Sequence, residues 1–160
     1  MSRHLIPLLT LCLAGTCLAD VPAANEVELI GAITVKSAND MALGMQAWCT
    51  SKQPKASGDI AGAVSSWQEA NKPLLDQSSA TLAGASAEKL KSLSTQYQQV
   101  QTDLLAKLEV ATPEQQSDFC LDLPTRIWSM DLEEARARAM DYYSHYQSTS
   151  ADKAEAKPAP

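Results

Sequence analysis

The chain has 160 residues, of which 45% are hydrophobic, and its 19 acidic against 13 basic side chains give a net charge of −6. Nucleic acid and anionic lipid surfaces attract basic patches, so the composition argues against both as partners. The length suits one domain built on a single core.

The first 19 residues have the order of a secretory signal peptide. Arg3 is followed by an apolar run over residues 5–13 and then by small residues that end at Ala19. The apolar run is too short to cross a bilayer, which takes about 20 residues, and no later run is long enough, so we expect no membrane insertion. The pattern predicts cleavage after Ala19 and export to a bacterial periplasm. Lipidation at Cys17 is disfavoured, because the segment fits ordinary cleavage better.

Export would leave two cysteines, Cys49 and Cys120, in an oxidising compartment. They allow one intramolecular pairing, so we predict a disulfide between them. Neither belongs to a C-x-x-C motif, which favours a structural role over a redox role.

Four long helices are predicted in residues 20–147, taken as a single helical domain. The first covers residues 25–48; its β-branched stretch, residues 27–35, could instead be a strand, but apolar and polar positions do not alternate there. After a loop at residues 51–58, Ser57 is placed to cap a second helix. Pro73 should kink or break that helix near Asn71. Its predicted buried stripe is Ile60, Val64, Trp67, Leu74 and Leu82.

The third predicted helix covers residues 86–110. Thr112 and Pro113 then have the pattern of a capping box that starts another helix, and Pro124 should split this last helical region. The third helix has the apolar stripe Leu90, Leu93, Tyr97, Val100, Leu104 and Leu108, and the last region has Trp128, Leu132, Ala135, Ala139, Tyr142 and Tyr146. Residues 148–160 lack such a stripe and are predicted to be a disordered tail. Each of the four predicted helices has an apolar face that must be buried. We therefore predict an all-α, up-and-down antiparallel four-helix bundle that is cross-linked by the disulfide.

Few side chains in the sequence suggest chemistry. His145 is the one histidine after the predicted cleavage site, and no nucleophile motif accompanies it, so we predict no enzyme activity, no metal site and no cofactor. The segment 112–116 resembles part of the L-T-x-x-Q motif of helical periplasmic stress chaperones. Ala111 replaces the leucine of that motif, and a capping box alone accounts for the same residues.

The leading functional hypothesis is a non-enzymatic interaction module, such as an adaptor, inhibitor, immunity factor or chaperone, which binds another envelope or secreted protein. The candidate contact residues are Arg126, Glu133, Glu134, Tyr143 and His145. The alternative hypothesis is a bundle that holds a small apolar ligand, haem or copper near Met41, Met45 and Trp67.

Overall fold

The computed structural model describes residues 26–155, and within this range every regular element is helical. The predicted signal peptide, with Ala19 and Cys17, lies outside the described residues. The predicted all-helical class and the single disulfide are confirmed, but the described chain forms six helices rather than four.

The elements follow one another with short connections. In chain order they are α1 (Glu26–Lys52), a single 3-10 turn (Pro54–Ala56), α2 (Ser57–Ala70), α3 (Lys72–Ala83), α4 (Ala87–Glu109), α5 (Pro113–Trp128) and α6 (Leu132–Glu155). The predicted capping box at Thr112 is confirmed, since Thr112 and Gln115 bond to each other's backbone N–H groups. Ser86, which was predicted only as the start of the third helix, caps α4 by accepting from the backbone N–H of Lys89. Ser57 is instead the first residue of α2, and its hydroxyl donates to the carbonyl of Pro54.

Helix α1 lies at the centre of the fold and contacts each of the other five helices. All residues from 29 to 33 are buried, which requires neighbours on every side of the helix. This explains the missing alternation in the β-branched stretch 27–35, which is helix and not strand. A helix that is covered all round needs apolar residues all round.

The predicted break near Asn71 is confirmed, since α2 ends at Ala70 and α3 begins at Lys72. Pro73 lies in the first turn of α3, where its missing N–H costs no helical hydrogen bond. A continuous helix would instead set its ring against the carbonyl of Glu69. Asn71 stabilises the break, because both its backbone N–H and its side-chain amide donate to the carbonyl of Trp67.

The predicted split at Pro124 is wrong, because Pro124 lies inside α5 and the chain breaks later, at residues 129–131. Leu123 and Ile127 flank the proline and are both buried in the core. Their burial favours a continuous helix and offsets the lost hydrogen bond. Asp131 caps the last helix, with its Oδ1 accepting from the backbone N–H of Glu134 at 2.9 Å.

Helix α6 also differs from its predicted end at residue 147, because it extends to Glu155. The sequence offers a reason, since Ala151 and Ala154 favour helix and the first proline of the segment is Pro158. The remainder of the predicted tail, residues 156–160, lies outside the described residues.

The main core joins α1, α2 and α5, together with the starts of α3 and α6. Cys49 of α1 and Cys120 of α5 are fully buried within it and form the predicted disulfide, with their Cα atoms 5.4 Å apart. Trp67 is also fully buried there. The bridge therefore ties the last turn of α1 to the middle of α5.

Candidate functional site

Helix α4 runs alongside α1 in the same direction. The hydroxyls of Thr34 and Tyr97 lie 2.8 Å apart, and the side-chain amide of Gln101 donates to the carbonyl of Asp40. Gly44 permits this approach, because a Cβ on Gly44 would lie 2.7 Å from the amide nitrogen of Gln101. The two helices are thus held close together by polar contacts and a glycine.

Helix α6 runs against α1 in the opposite direction. Gly31 allows Met140 to lie directly on α1, since a Cβ at that position would be 2.8 Å from the Met140 sulfur. Near the start of α1, the carboxylate of Glu26 accepts from the Tyr143 hydroxyl of α6 at 2.7 Å and pairs with Lys89 of α4 at 3.0 Å. Glu26 therefore joins three helices at one end of the fold.

A groove lies between α4 and α6, with Ile30 of α1 on its floor. We call it the tyrosine groove, because all four tyrosines of the chain line it. It has a volume of about 460 Å³, and its lining residues are Ile30, Ser92, Leu93, Tyr97, Ala139, Tyr142, Tyr143 and Tyr146. Most of this lining is aromatic or aliphatic.

The walls of the tyrosine groove carry exposed apolar side chains. Tyr142 is 75% exposed and Tyr146 is 60% exposed. On the facing helix Val100 is 56% exposed, and its position seven residues after Leu93 puts it on the same side of α4. The apolar stripe predicted for the last helix therefore faces the groove over its second half. The predicted burial of Tyr142 and Tyr146 is wrong, because α4 lies too far from α6 to cover them.

The predicted contact residues do not form one surface. Arg126 lies on α5, where it pairs with a carboxylate of the same helix and sits over the Phe119 ring. Glu133 and Glu134 lie in the first turn of α6, and Tyr143 and His145 follow three turns later, about 15 Å along the helix. Of the five, Tyr143 lines the tyrosine groove.

The remaining predicted contact residues have different surroundings. Glu134 forms an ion pair with Arg138, whereas Glu133 borders a second cavity. His145 is exposed beside Asp141 on the outer face of α6. The sequence prediction missed Tyr97 of the tyrosine groove, because its place on the third apolar stripe suggested core packing.

The second cavity, of about 610 Å³, lies where the two helix breaks meet. We call it the break cleft; it is bordered by the end of α2, the start of α3, the end of α5 and the start of α6. The indole N–H of Trp67 donates to the carbonyl of Met130 at 3.2 Å and so links the two breaks. Trp128 lies at its edge and is 54% exposed, although its place on the predicted stripe suggested burial.

The residues of the ligand-binding alternative lie in packed surroundings. Met45 and Trp67 are buried in the core, and Met41 packs against it. His145 is on the exposed face of α6, and no cluster of three or more His, Cys, Asp or Glu suited to a metal occurs in residues 26–155.

A polar contact also joins the C-terminal end of α4 to the C-terminal end of α1. Glu109 accepts from the Lys52 ammonium at 2.9 Å and from the indole N–H of Trp48 at 2.5 Å. These donors favour the ionised carboxylate and hold the pKa of Glu109 below its ordinary value. The contact fixes the last turn of α4 beside the last turn of α1.

Comparison with known proteins gives no relative: no protein family, curated protein or solved structure matches the chain. Within residues 26–155, no helix combines the length and the apolar character needed to cross a membrane.

Proposed function

We propose that the chain is an exported, non-enzymatic interaction module that binds an amphipathic helix of another envelope or secreted protein in the tyrosine groove. The observation that carries the proposal is the apolar face of α6, which repeats at helical spacing yet leaves Tyr142 and Tyr146 largely exposed in the tyrosine groove. Large aromatic side chains in an open groove are enriched where proteins bind one another. Export is supported by the signal-like N-terminus and by a disulfide that suits an oxidising compartment.

A helix is the occupant that suits the walls of the groove. The walls are two helices that run in opposite directions, so their side chains form ridges between which a third helix can pack. An amphipathic helix presents apolar anchors at three- and four-residue steps, and these match the spacing of Ala139, Tyr142 and Tyr146 on α6. The hydroxyls of Tyr142 and Tyr146 would remain at the polar rim, whereas those of Tyr97 and Tyr143 keep their bonds to Thr34 and Glu26.

The proposal includes a four-column, up-and-down arrangement of the six helices. The columns are α1, α2 with α3, α4, and α5 with α6. The directions of the helices support this arrangement. Helix α4 runs parallel to α1, and α6 runs antiparallel to it. Helix α2 also runs antiparallel to α1, because Gln68 near its end contacts Asn39 in the middle of α1. In this arrangement α4 and α6 are neighbouring columns, and the tyrosine groove is the opening between them.

The proposal can be tested with a photo-reactive amino acid placed at Tyr142 in the full chain, expressed in a host that exports it. The same amino acid at Val110 is the matched control, since Val110 is 86% exposed and lies in the turn after α4, away from the groove. We expect a single discrete protein adduct from position 142 and none from position 110. Peptide mapping should locate the adduct on a helix of the partner.

The identified partner then allows a binding measurement with purified proteins. Replacing Tyr142 and Tyr146 together by serine should weaken binding by at least about tenfold, because a buried aromatic contact is worth more than about 1 kcal/mol. Leu121→Ser, on the exposed face of α5, should leave binding unchanged. Absence of a protein adduct at position 142 would contradict the proposal. Recovery of a small apolar molecule in native mass spectrometry, lost in the same double variant, would favour the ligand-binding alternative.

A further inference from the structure

The break cleft is a second concave site, built separately from the tyrosine groove. Two helix breaks adjoin here, and the hydrogen bond from Trp67 to the carbonyl of Met130 holds them together. Asn71 fixes one of the breaks through two bonds to the carbonyl of Trp67. The cleft is therefore shaped by backbone and side-chain contacts on both sides and does not depend on a ligand to hold it open.

The charge of the cleft is negative. Asp131 and Glu133 line it, and none of the described lining residues is basic. Helices α2 and α5 both end here, so the negative ends of two helix dipoles face the cavity. The positive ends of α3 and α6 also lie here and oppose those dipoles, but Asp131 caps α6 and acidic residues fill its first turn, so the negative charge of the cleft comes from its carboxylates. Lys72, which lies between the lining residues Asn71 and Pro73, pairs with Asp76 at 2.8 Å.

The cleft also offers aromatic surface to a ligand. Trp128 lies at its edge with about half of its side chain exposed, whereas Trp67 is fully buried behind the cleft and offers no free surface. An indole face attracts a cation through its quadrupole, while the ring covers the carbon chain that carries the charge. Within the part of the chain whose side chains are described, Glu133 forms no ion pair, unlike Glu134, which pairs with Arg138.

We propose that the break cleft binds an organic cation, namely an alkylammonium or guanidinium group, between Trp128 and the Glu133 carboxylate. The shared chemistry is a positive group on a short carbon chain. It can come from a lysine or arginine side chain of a protein or from a free polyamine. This site is independent of the tyrosine groove, and either proposal can fail without the other.

The test uses the purified full chain labelled with ¹⁵N, which has three indole N–H signals because it has three tryptophans. The probes are N-acetyl-lysinamide, N-acetyl-argininamide and the diamine cadaverine, with N-acetyl-norleucinamide as the uncharged match for lysine. We expect the charged probes to shift the Trp128 signal in a saturable way and norleucinamide to bind at least about fivefold more weakly. Trp48, which bonds to Glu109 at the far end of α4, should not respond.

Two matched variants assign the binding to the cleft. Glu133→Gln should raise the dissociation constant by about fivefold or more, whereas Glu134→Gln, one residue further along the same helical turn, should change it less than about twofold. Trp128→Leu, whose binding is measured by isothermal titration calorimetry because it lacks the Trp128 signal, should bind more weakly while its helical signal stays intact, since Trp128 is half-exposed. Tighter binding of cadaverine than of the amino acid amides would identify a free polyamine as the source, and the reverse would identify a side chain. Equal effects of the two glutamate variants, or equal binding of norleucinamide, would overturn the proposal.

Discussion

Removal of the disulfide between Cys49 and Cys120 should lower the free energy of unfolding by an amount that follows directly from the length of the loop it closes. The bridge closes a loop with a sequence separation of 71 residues, and the loop contains the whole of α2, α3 and α4. Replacing Cys49 by alanine opens that loop and removes little else, because alanine is small and apolar at a fully buried position. The perturbation therefore acts mainly on the unfolded chain.

The size of the effect follows from loop-closure entropy. A loop of this length lowers the entropy of the unfolded chain enough to stabilise the folded state by about 4 kcal/mol at 25 °C. Domains of this size have a total stability of only about 5–15 kcal/mol, so the loss is a large share. The single variant and the double variant Cys49→Ala with Cys120→Ala should lose similar amounts, within about 1 kcal/mol, since either one breaks the bridge.

The measurement is urea unfolding at equilibrium, followed by circular dichroism, of the oxidised protein and both variants. The denaturant dependence should be steeper for the variants, because an unfolded chain without the cross-link exposes more surface. Both sulfurs are fully buried, so thiol-alkylating reagents with reductant should label the native protein only after denaturant is added. A single variant with the same free energy of unfolding as the oxidised protein would refute the loop argument.

Two further predictions concern a glycine pair and an ionisable contact. Gly62→Ala should raise the free energy of unfolding by about 1 kcal/mol, because nothing lies within 4 Å of the added Cβ. Gly44→Ala should give no such gain, because its Cβ would lie 2.7 Å from the Gln101 amide. Equal thermal midpoints for the two variants would contradict the close approach of α1 and α4. Hydrogen bonds from a lysine and a tryptophan lower the pKa of Glu109 in the folded state. The ionised carboxylate therefore stabilises the folded protein at pH values above the ordinary glutamate pKa of about 4.3. This stabilisation is lost as the pH falls through the pKa of Glu109 in the folded state. Urea midpoints of Glu109→Gln and the unaltered protein should therefore differ at pH 7 and converge once the pH falls below the lowered pKa of Glu109. A difference that is independent of pH would show that the carboxylate charge has no role.

The helices that the sequence predicts best are those with local signals. Helix α4 begins and ends within one residue of its prediction, because Ser86 provides a cap and the apolar stripe has a clear period. The capping box at Thr112 and the break at Asn71 are likewise local, since each depends on residues within one turn. Such contacts are already present in a short stretch of chain.

The errors arise where distant residues decide the outcome. Pro124 has the local character of a helix end, yet α5 continues through it, because Leu123 and Ile127 must both reach the core that α1 and α2 provide. A proline in a helix interior costs about 3 kcal/mol, which is comparable to the gain from burying two large aliphatic side chains. The sequence therefore shows the destabilising proline, but it does not show which distant residues of α1 and α2 will bury Leu123 and Ile127.

The stripe on α6 marks the limit of what periodicity can say about the site. Apolar residues at helical spacing indicate that a face should be covered, but they do not say which surface covers it. In this chain Leu132 at the start of the stripe is buried by the core, while Tyr142 and Tyr146 at its end lie open in the tyrosine groove. The difference arises because α4 is held on α1 by its own contacts at Thr34 and Gly44 and cannot move towards α6 without breaking them. A partner helix can supply the missing cover without disturbing those contacts, which is why the groove, rather than the buried core around Trp67, is the place to look for function.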